Sequence, residues 1–330
     1  MRRALGLGNR VFKKLDSLLR GNVGAEVAAA LAEVDPLGHG LAIVAPAFPA
    51  TGRTTVDGLV VVDGRANTSG PFQGDVAQAL AHGGLEVEHL PATGGPPAEL
   101  ARRFREIQRR GVNAVVVDAS CDADLEAIVL ALDLVGVPTL LVGSGGLARH
   151  IAPHRATTEP APVVYPGVSR FLIVIGSYSP LARAQLRALV DGGLRHVMLD
   201  HADLEGARVS AELAGAIAVG DVVLTPDPTA SLNKEQAHLV ARSLAAAAVA
   251  VTSGCDAVVL TGGETARAVM NALELTHLTV LGEVEPGVVV NKLTEGLPLL
   301  ITKAGAFGDS GTLVRTIRSL RETTTEMSLR

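Results

Sequence analysis

Apolar residues along this chain fall into two alternating patterns. Short runs rich in Val, Ile, Leu and Ala read as strands: Gly40–Ala45, Ala114–Asp118, Thr139–Val142, Phe171–Ile175, Val222–Leu224 and Ala257–Leu260. Weaker extended stretches cover Arg10–Leu15, Leu85–Leu90 and His196–Leu199. Between them, apolar residues recur at helical spacing over Val23–Val34, Asp75–His82, Ala98–Arg110, Ala123–Val135, Leu181–Val190, Asp203–Ala218, Lys234–Thr252 and Glu264–Leu273. Strands alternating with helices argue for mostly parallel sheets covered on both faces. The alternation breaks between Ala152 and Ser169, where four prolines cannot sustain a helix or a central strand. The chain is therefore expected to form two α/β domains with a cleft between them: residues 1–152 and 170–330, joined by a proline-rich linker over 153–169.

Composition removes several function classes. Aromatics are 2% of the chain and Trp is absent, which leaves little for stacking nucleic-acid bases. A net charge of -5 argues against a phosphate-backbone binder, so no nucleic-acid partner is expected. No apolar run is long enough to span a bilayer, the basic N-terminus lacks a signal peptide's apolar core, and two cysteines cannot make a disulfide framework. These features imply a cytoplasmic protein without a membrane partner. His150 and His154 stand four apart, but Pro153 is expected to interrupt the helix that would align them, and no metal site is expected.

The chemistry concentrates where apolar runs meet glycine. Thr261–Ala266 reads T-G-G-E-T-A, Gly282–Gly287 reads G-E-V-E-P-G, and Lys303–Asp309 reads K-A-G-A-F-G-D, each following an apolar run. Glycine loops at strand ends let backbone N–H groups approach phosphates, and a helix starting there adds its own. Ser177 and Ser179 in G-S-Y-S-P, Gly262, Gly263, Glu264, Thr265, Gly282, Gly287, Lys303 and Gly305 are the expected nucleotide-side residues. Glu264 also suits a helix first turn without any ligand, and Lys303 could equally be a solvated loop charge. No Walker-A or dinucleotide fingerprint occurs. The N-terminal half instead offers side chains around strand ends: Lys14, Asp16, Ser17, Arg20 and Asn22 at and beyond the end of the first strand, and Arg53 after Pro46–Gly52. Arg20 and Arg53 could grip a carboxylate or phosphate, while Asp16 could accept a hydroxyl proton or simply hold Arg20. One half suits a small hydroxylated acid and the other a polyphosphate.

F-K-K-L-D-S-L-L-R-G-N at Phe12–Asn22 resembles the lysine–aspartate–serine–threonine–leucine–arginine–glycine signature of the four-carbon acid sugar kinases. A-P-A-F-P-A-T-G-R-T at Ala45–Thr54, I-G-S-Y-S-P at Ile175–Pro180 and the C-terminal clusters are similar to that family in the same order. Leu18 stands where the family usually has threonine, and Tyr178 where cysteine is common. The resemblance implies an ATP-dependent kinase acting on a threonate, erythronate or 3-oxo-tetronate, with Mg²⁺ carried by the nucleotide. It places Ser177, Gly262–Thr265 and Gly305 on ATP, and Lys14, Asp16, Ser17, Arg20 and Arg53 on the sugar acid, with Asp16 the candidate base. Family members usually carry a segment ahead of this signature, so the N-terminal domain is expected to be shortened. An inactive nucleotide- or sugar-acid-binding paralogue, or one component of a split kinase, is the alternative. The implied partners are a second copy of the chain or a chain supplying the missing strands.

Overall fold

A computed structural model describes residues 11–92, 94–155, 168–200, 207–227, 234–293 and 296–327. The chain divides into two compact units between residues 159 and 160. Most of the proline-rich linker and the first turn expected of the helix over Asp203–Ala218 lie outside the described residues.

The first unit runs β1 (Phe12–Lys14), α1 (Val23–Val34), β2 (Leu41–Ala45), β3 (Arg53–Val56), β4 (Leu59–Val62), β5 (Arg65–Ala66), α2 (Val76–Ala81), β6 (Val87–Leu90), α3 (Pro97–Arg109), β7 (Ala114–Val117), α4 (Asp122–Val135), β8 (Thr139–Gly143) and α5 (Gly145–Arg155). Its main sheet has the order β1-β8-β2-β7-β6, all parallel; β3, β4 and β5 form a small antiparallel side sheet. Every residue of β2 is buried, as a strand covered on both faces requires. Leu41, Ile43 and Ala45 pack with Phe104, Leu125 and Leu147 of α3, α4 and α5, whereas Ala42 and Val44 pack with Val27 and Leu80 of α1 and α2. Contrary to expectation, α5 continues through Pro153 to Arg155. Proline there removes only the N–H that would reach back to residue 149, in the last turn, where a helix loses least.

The second unit runs β9 (Phe171–Ile175), α6 (Pro180–Asp191), β10 (Arg195–Leu199), α7 (Ala207–Val219), β11 (Val222–Pro226), α8 (Lys234–Val249), β12 (Ala257–Thr261), α9 (Gly263–Ala272), β13 (Thr279–Glu285), β14 (Val288–Lys292), β15 (Leu299–Lys303) and α10 (Thr312–Met327). The sheet order is β10-β11-β9-β12-β15-β14-β13, parallel through β15 and antiparallel for the final hairpin. The stretch G-E-V-E-P-G, expected as a glycine loop following a strand, is therefore mostly strand itself. Gly282 to Glu285 extend β13, and Pro286–Gly287 turns the chain into β14.

Helix placement creates an opening in each sheet. In the second unit α6 and α10 cover the face holding Ile173 and Ile301, while α7, α8 and α9 cover the face holding Leu172 and Leu300. The chain therefore leaves β9 and β15 toward one face and the intervening β12 toward the other. Such a switch leaves a crevice at the carboxyl ends of the strands, where open α/β sheets bind ligands. The first unit repeats the device. The residues after β1 and β2 lead to the face of α1 and α2, and the intervening β8 leads to α5 on the opposite face. Among the described residues no helix is long and apolar enough to cross a membrane.

Candidate active site

At the switch point of the second unit the loops after β9, β12 and β15 meet. Thr261 is in register with both Ile175 and Lys303, and the Gly262 N–H donates to the Lys303 carbonyl at 2.9 Å. Gly262 has φ 102 and ψ 136 at the N-cap of α9, a conformation essentially reserved for glycine. Among the described residues no side chain caps this helix, so the N–H groups of Gly263, Glu264 and Thr265 are turned outward without an intrahelical partner. Gly176 lies so close to Thr265 that a Cβ there would stand 1.9 Å from its Oγ1. A Cβ on Gly305 would stand 3.3 Å from Ser177 Oγ and 3.8 Å from Gly262 Cα. Ser177, Gly262, Thr265 and Gly305 are thus neighbours, lining a cradle built chiefly of main chain.

Other expected residues surround this cradle in different roles. Ser179 caps α6, its Oγ accepting from the Ala182 N–H at 3.1 Å, and its own N–H donates to Ser177 Oγ at 3.3 Å. Glu264 is exposed, with His238 Nδ1 at 3.8 Å. Gly282 is separated from the group: it pairs with Val290 inside β13, beside a break in register. Gly287 sits at the hairpin tip, at the cradle's edge of the sheet because Val288 pairs with Lys303. Its amide is taken by Glu283 Oε1 at 3.2 Å, and the Phe307 ring fills the space a Cβ would need. Gly287 therefore packs the hairpin against the loop after β15 rather than offering a donor. Lys303 is no solvated loop charge. It closes β15 at 3% exposure, and its Nζ donates to the Ala304 carbonyl at 2.8 Å. Burial pulls its ammonium down to about 8, against the opposing charge of Glu285.

The first unit brings charged side chains together instead. Leu15 N–H donates to the Gly143 carbonyl at 2.8 Å, which ties the loop after β1 to the end of β8. The Asp16 carboxylate then organises that loop. It accepts from the Leu18 N–H at 3.1 Å, the Arg20 N–H at 3.3 Å, and Arg20 Nε and Nη2 at 2.9 and 2.7 Å. These bonds support Leu19, whose φ of 61 is uncommon for a non-glycine residue and whose side chain is buried. Burial works to raise the Asp16 carboxyl, but Arg20 and the backbone donors overcome it and hold the group below the ordinary carboxylate range. A carboxylate so engaged is a weak proton acceptor.

Arg53, buried at 3% exposure, donates from Nη1 to Ser17 Oγ at 2.5 Å. Burial lowers its guanidinium, with Asp16 opposing and Arg20 adding to the shift, so the three charges form one cluster. The side sheet delivers Arg53 there: Asp118, at the end of β7, accepts from the Asp57 and Gly58 N–H groups at 2.8 and 3.0 Å. Lys14 Nζ donates to the Leu15 carbonyl at 2.7 Å, and Asn22 precedes α1 without a side-chain cap bond. Ser144, not singled out from the sequence, joins the two faces of this crevice. Its buried Oγ donates to the Ala47 carbonyl at 2.8 Å and accepts from the Gly146 N–H at 3.1 Å. The G-S-G-G that follows the Thr139–Val142 run was the available signal. Among the described residues no three His, Cys, Asp or Glu side chains are grouped to hold a metal ion.

Comparison with known proteins assigns the two units separately. A family model of a sugar-binding N-terminal domain matches residues 1–151, and one of a nucleotide-binding C-terminal domain matches residues 172–313. A D-threonate kinase of Cupriavidus necator is 33% identical, the match covering 97% of this chain and 82% of the relative. A D-threonate kinase of Bordetella bronchiseptica is 35% identical over 97% of this chain and 80% of its own. The crystal structure of a Salmonella typhimurium LT2 protein, 21% identical, shares the fold with a TM-score of 0.75 over 96% of this chain and 82% of that one.

Proposed function

This chain belongs to the four-carbon acid sugar kinase family, and we propose that its two loop clusters divide the transfer of a phosphoryl group from ATP to a hydroxyl of a four-carbon sugar acid. The activity is that of a phosphotransferase with an alcohol acceptor. The single observation supporting the division is the main-chain cradle at the β9–β12–β15 switch point, where Ser177, the first turn of α9 and Gly305 adjoin. Outward N–H groups at a helix start favour the polyanionic phosphates of ATP. Gly263, Glu264 and Thr265 would hold them by backbone amides, with Ser177 Oγ and the Gly305 amide opposite. ATP supplies the phosphoryl group, and Mg²⁺ would travel with the nucleotide.

On the first unit, Arg53 and Arg20 would pair with the sugar acid's carboxylate, and Ser17 would donate to one of its oxygens. Asp16 acts here as a positioning residue that aims Arg20 and fixes the loop. Phosphoryl transfer tolerates this arrangement, because a loose transition state asks for alignment and charge neutralisation more than for a strong base. Two relatives at 33% and 35% identity are D-threonate kinases, which makes D-threonate the first substrate to try.

The test is a coupled ADP-release assay with Mg²⁺-ATP and a panel of D-threonate, L-threonate, D-erythronate and 3-oxo-tetronate. ADP formation that depends on one sugar acid and saturates with it is expected. A folded chain that binds ATP yet turns over none of the panel would reject the catalytic reading in favour of a binding paralogue.

A further inference from the structure

The Ala304 carbonyl is held twice. Lys303 Nζ donates to it at 2.8 Å, and the Phe307 N–H at 3.1 Å, which occupies both lone pairs of the oxygen. Lys303 lies two residues beyond Ile301 in β15 and so shares its face, the buried side covered by α6 and α10. A carbonyl drawn toward that ammonium fixes the whole peptide unit. Because a trans peptide is planar, the N–H of Gly305 must point the opposite way, away from the buried lysine. Gly305 itself packs against Ser177 and Gly262. Among the described residues its N–H donates to no protein acceptor. A charged donor on the carbonyl also polarises the peptide and strengthens the N–H at its other end.

We infer that Lys303 is a positioning residue of the nucleotide site, aiming the Gly305 amide at the bound phosphates rather than touching them itself. This rests on the nucleotide reading of the cradle and adds to it a division of labour: the lysine works from below the loop, through one peptide. Burying an ammonium is costly unless its hydrogen bonds are used, and here the use is orientation. Thr261 Oγ1, in register with Lys303, is buried and has no hydrogen-bond partner among the described residues, and the polar contact to Ala304 beside it comes from the lysine.

The test follows backbone amides of the full ¹⁵N-labelled chain by NMR during titration with ADP, in wild type and in Lys303→Met. In wild type, the amides of Gly263, Glu264, Thr265 and Gly305 are expected to shift together. In Lys303→Met the Gly305 response should collapse while the Gly263–Thr265 response persists, and the ADP dissociation constant should rise about tenfold, the worth of one charge-assisted hydrogen bond. A second measurement needs no variant. In the ligand-free wild type the Gly305 amide shift should titrate near pH 8 with the lysine, and Gly263 should not. An unchanged Gly305 response in the variant, or loss of every response alike, would overturn the positioning role. So would a Gly305 amide indifferent to pH. No response anywhere in wild type would instead remove the nucleotide reading on which the inference stands.

Discussion

The two units solve the same problem with opposite materials. Both open a crevice where neighbouring strands send their chains to opposite faces of a parallel sheet. In the second unit the crevice is lined by main chain at Gly262, Gly305 and the first turn of α9. In the first it is lined by Asp16, Ser17, Arg20 and Arg53, joined by ion pairs and short hydrogen bonds. Amides in a fixed array accept any phosphate chain and are held mainly by the fold, with Lys303 fixing one peptide from beneath. Charged side chains can distinguish one carboxylate and hydroxyl pattern from another, but each must be held in place by a neighbour. The nucleotide side should therefore fail when backbone conformation is disturbed, and the sugar side when a supporting side chain is removed.

The largest effect is expected from Gly262→Val. At φ 102 and ψ 136 an L residue costs about 1–3 kcal/mol, and the loop can escape only by turning the α9 amides away. Affinity for ADP in calorimetric titration should fall about a hundredfold, while the KM for the sugar acid stays within about twofold of wild type. Equal damage to both parameters would deny the separation of the two sites.

Asp16→Asn should act on the other side, and more mildly. Without the carboxylate, Arg20 loses its two-oxygen fork and its charge partner, while the amide oxygen can still accept from the Leu18 and Arg20 N–H groups. The KM for the sugar acid should therefore rise about tenfold with kcat changed less than tenfold. A catalytic base would instead lower kcat by about 10²- to 10⁴-fold. The acid limb of stability gives an independent reading. The folded Asp16 carboxyl lies below its ordinary value, so its contribution is present above about pH 4 and is lost as pH falls through the folded value. Chemical denaturation of wild type and Asp16→Asn should differ most near neutrality and converge in acid.

The same contrast governs what the sequence revealed. Glycine clusters at strand ends are a local signal, so the loops at Ser177, Gly262 and Gly305 could be read from the runs that precede them. The Asp16–Arg20 pair is also local, four residues apart. The Arg53–Ser17 contact, between positions 36 apart, depends on the side sheet folding back and was legible only as two polar loops. Gly282 was misread because breaks in register at Val280/Gly282 and Glu283/Glu285 interrupt the alternation that would have marked β13 as one strand. The burial of Lys303 was hidden for a different reason: K-A-G-A-F-G-D looks polar until pairing with Thr261 draws its first residue into β15. Local chemistry identified the candidate loops. Non-local pairing decided which face of each loop the side chains occupy.

Arg315 sharpens the comparison at its weakest point, because here the nucleotide side also leans on a side chain. Its guanidinium reaches Glu285 Oε2 at 2.9 Å and Asp309 Oδ1 at 3.0 Å, tying the hairpin tip to the loop that carries Gly305. The pairing resembles Arg20 on Asp16, yet it spans separate elements rather than one turn. Arg315 is half exposed, so water and salt screen the pairs and each contributes little, about 0.2–1 kcal/mol. Arg315→Ala should raise the KM for ATP about two- to fivefold, leave the KM for the sugar acid unchanged, and show a smaller difference from wild type at 1 M salt, where surface charges are screened within about 3 Å. A salt-insensitive loss would mean that Arg315 acts through packing against the hairpin rather than through its charge. An effect on the sugar acid alone would place the support of the Gly305 loop elsewhere, since neither carboxylate it bridges belongs to the first unit.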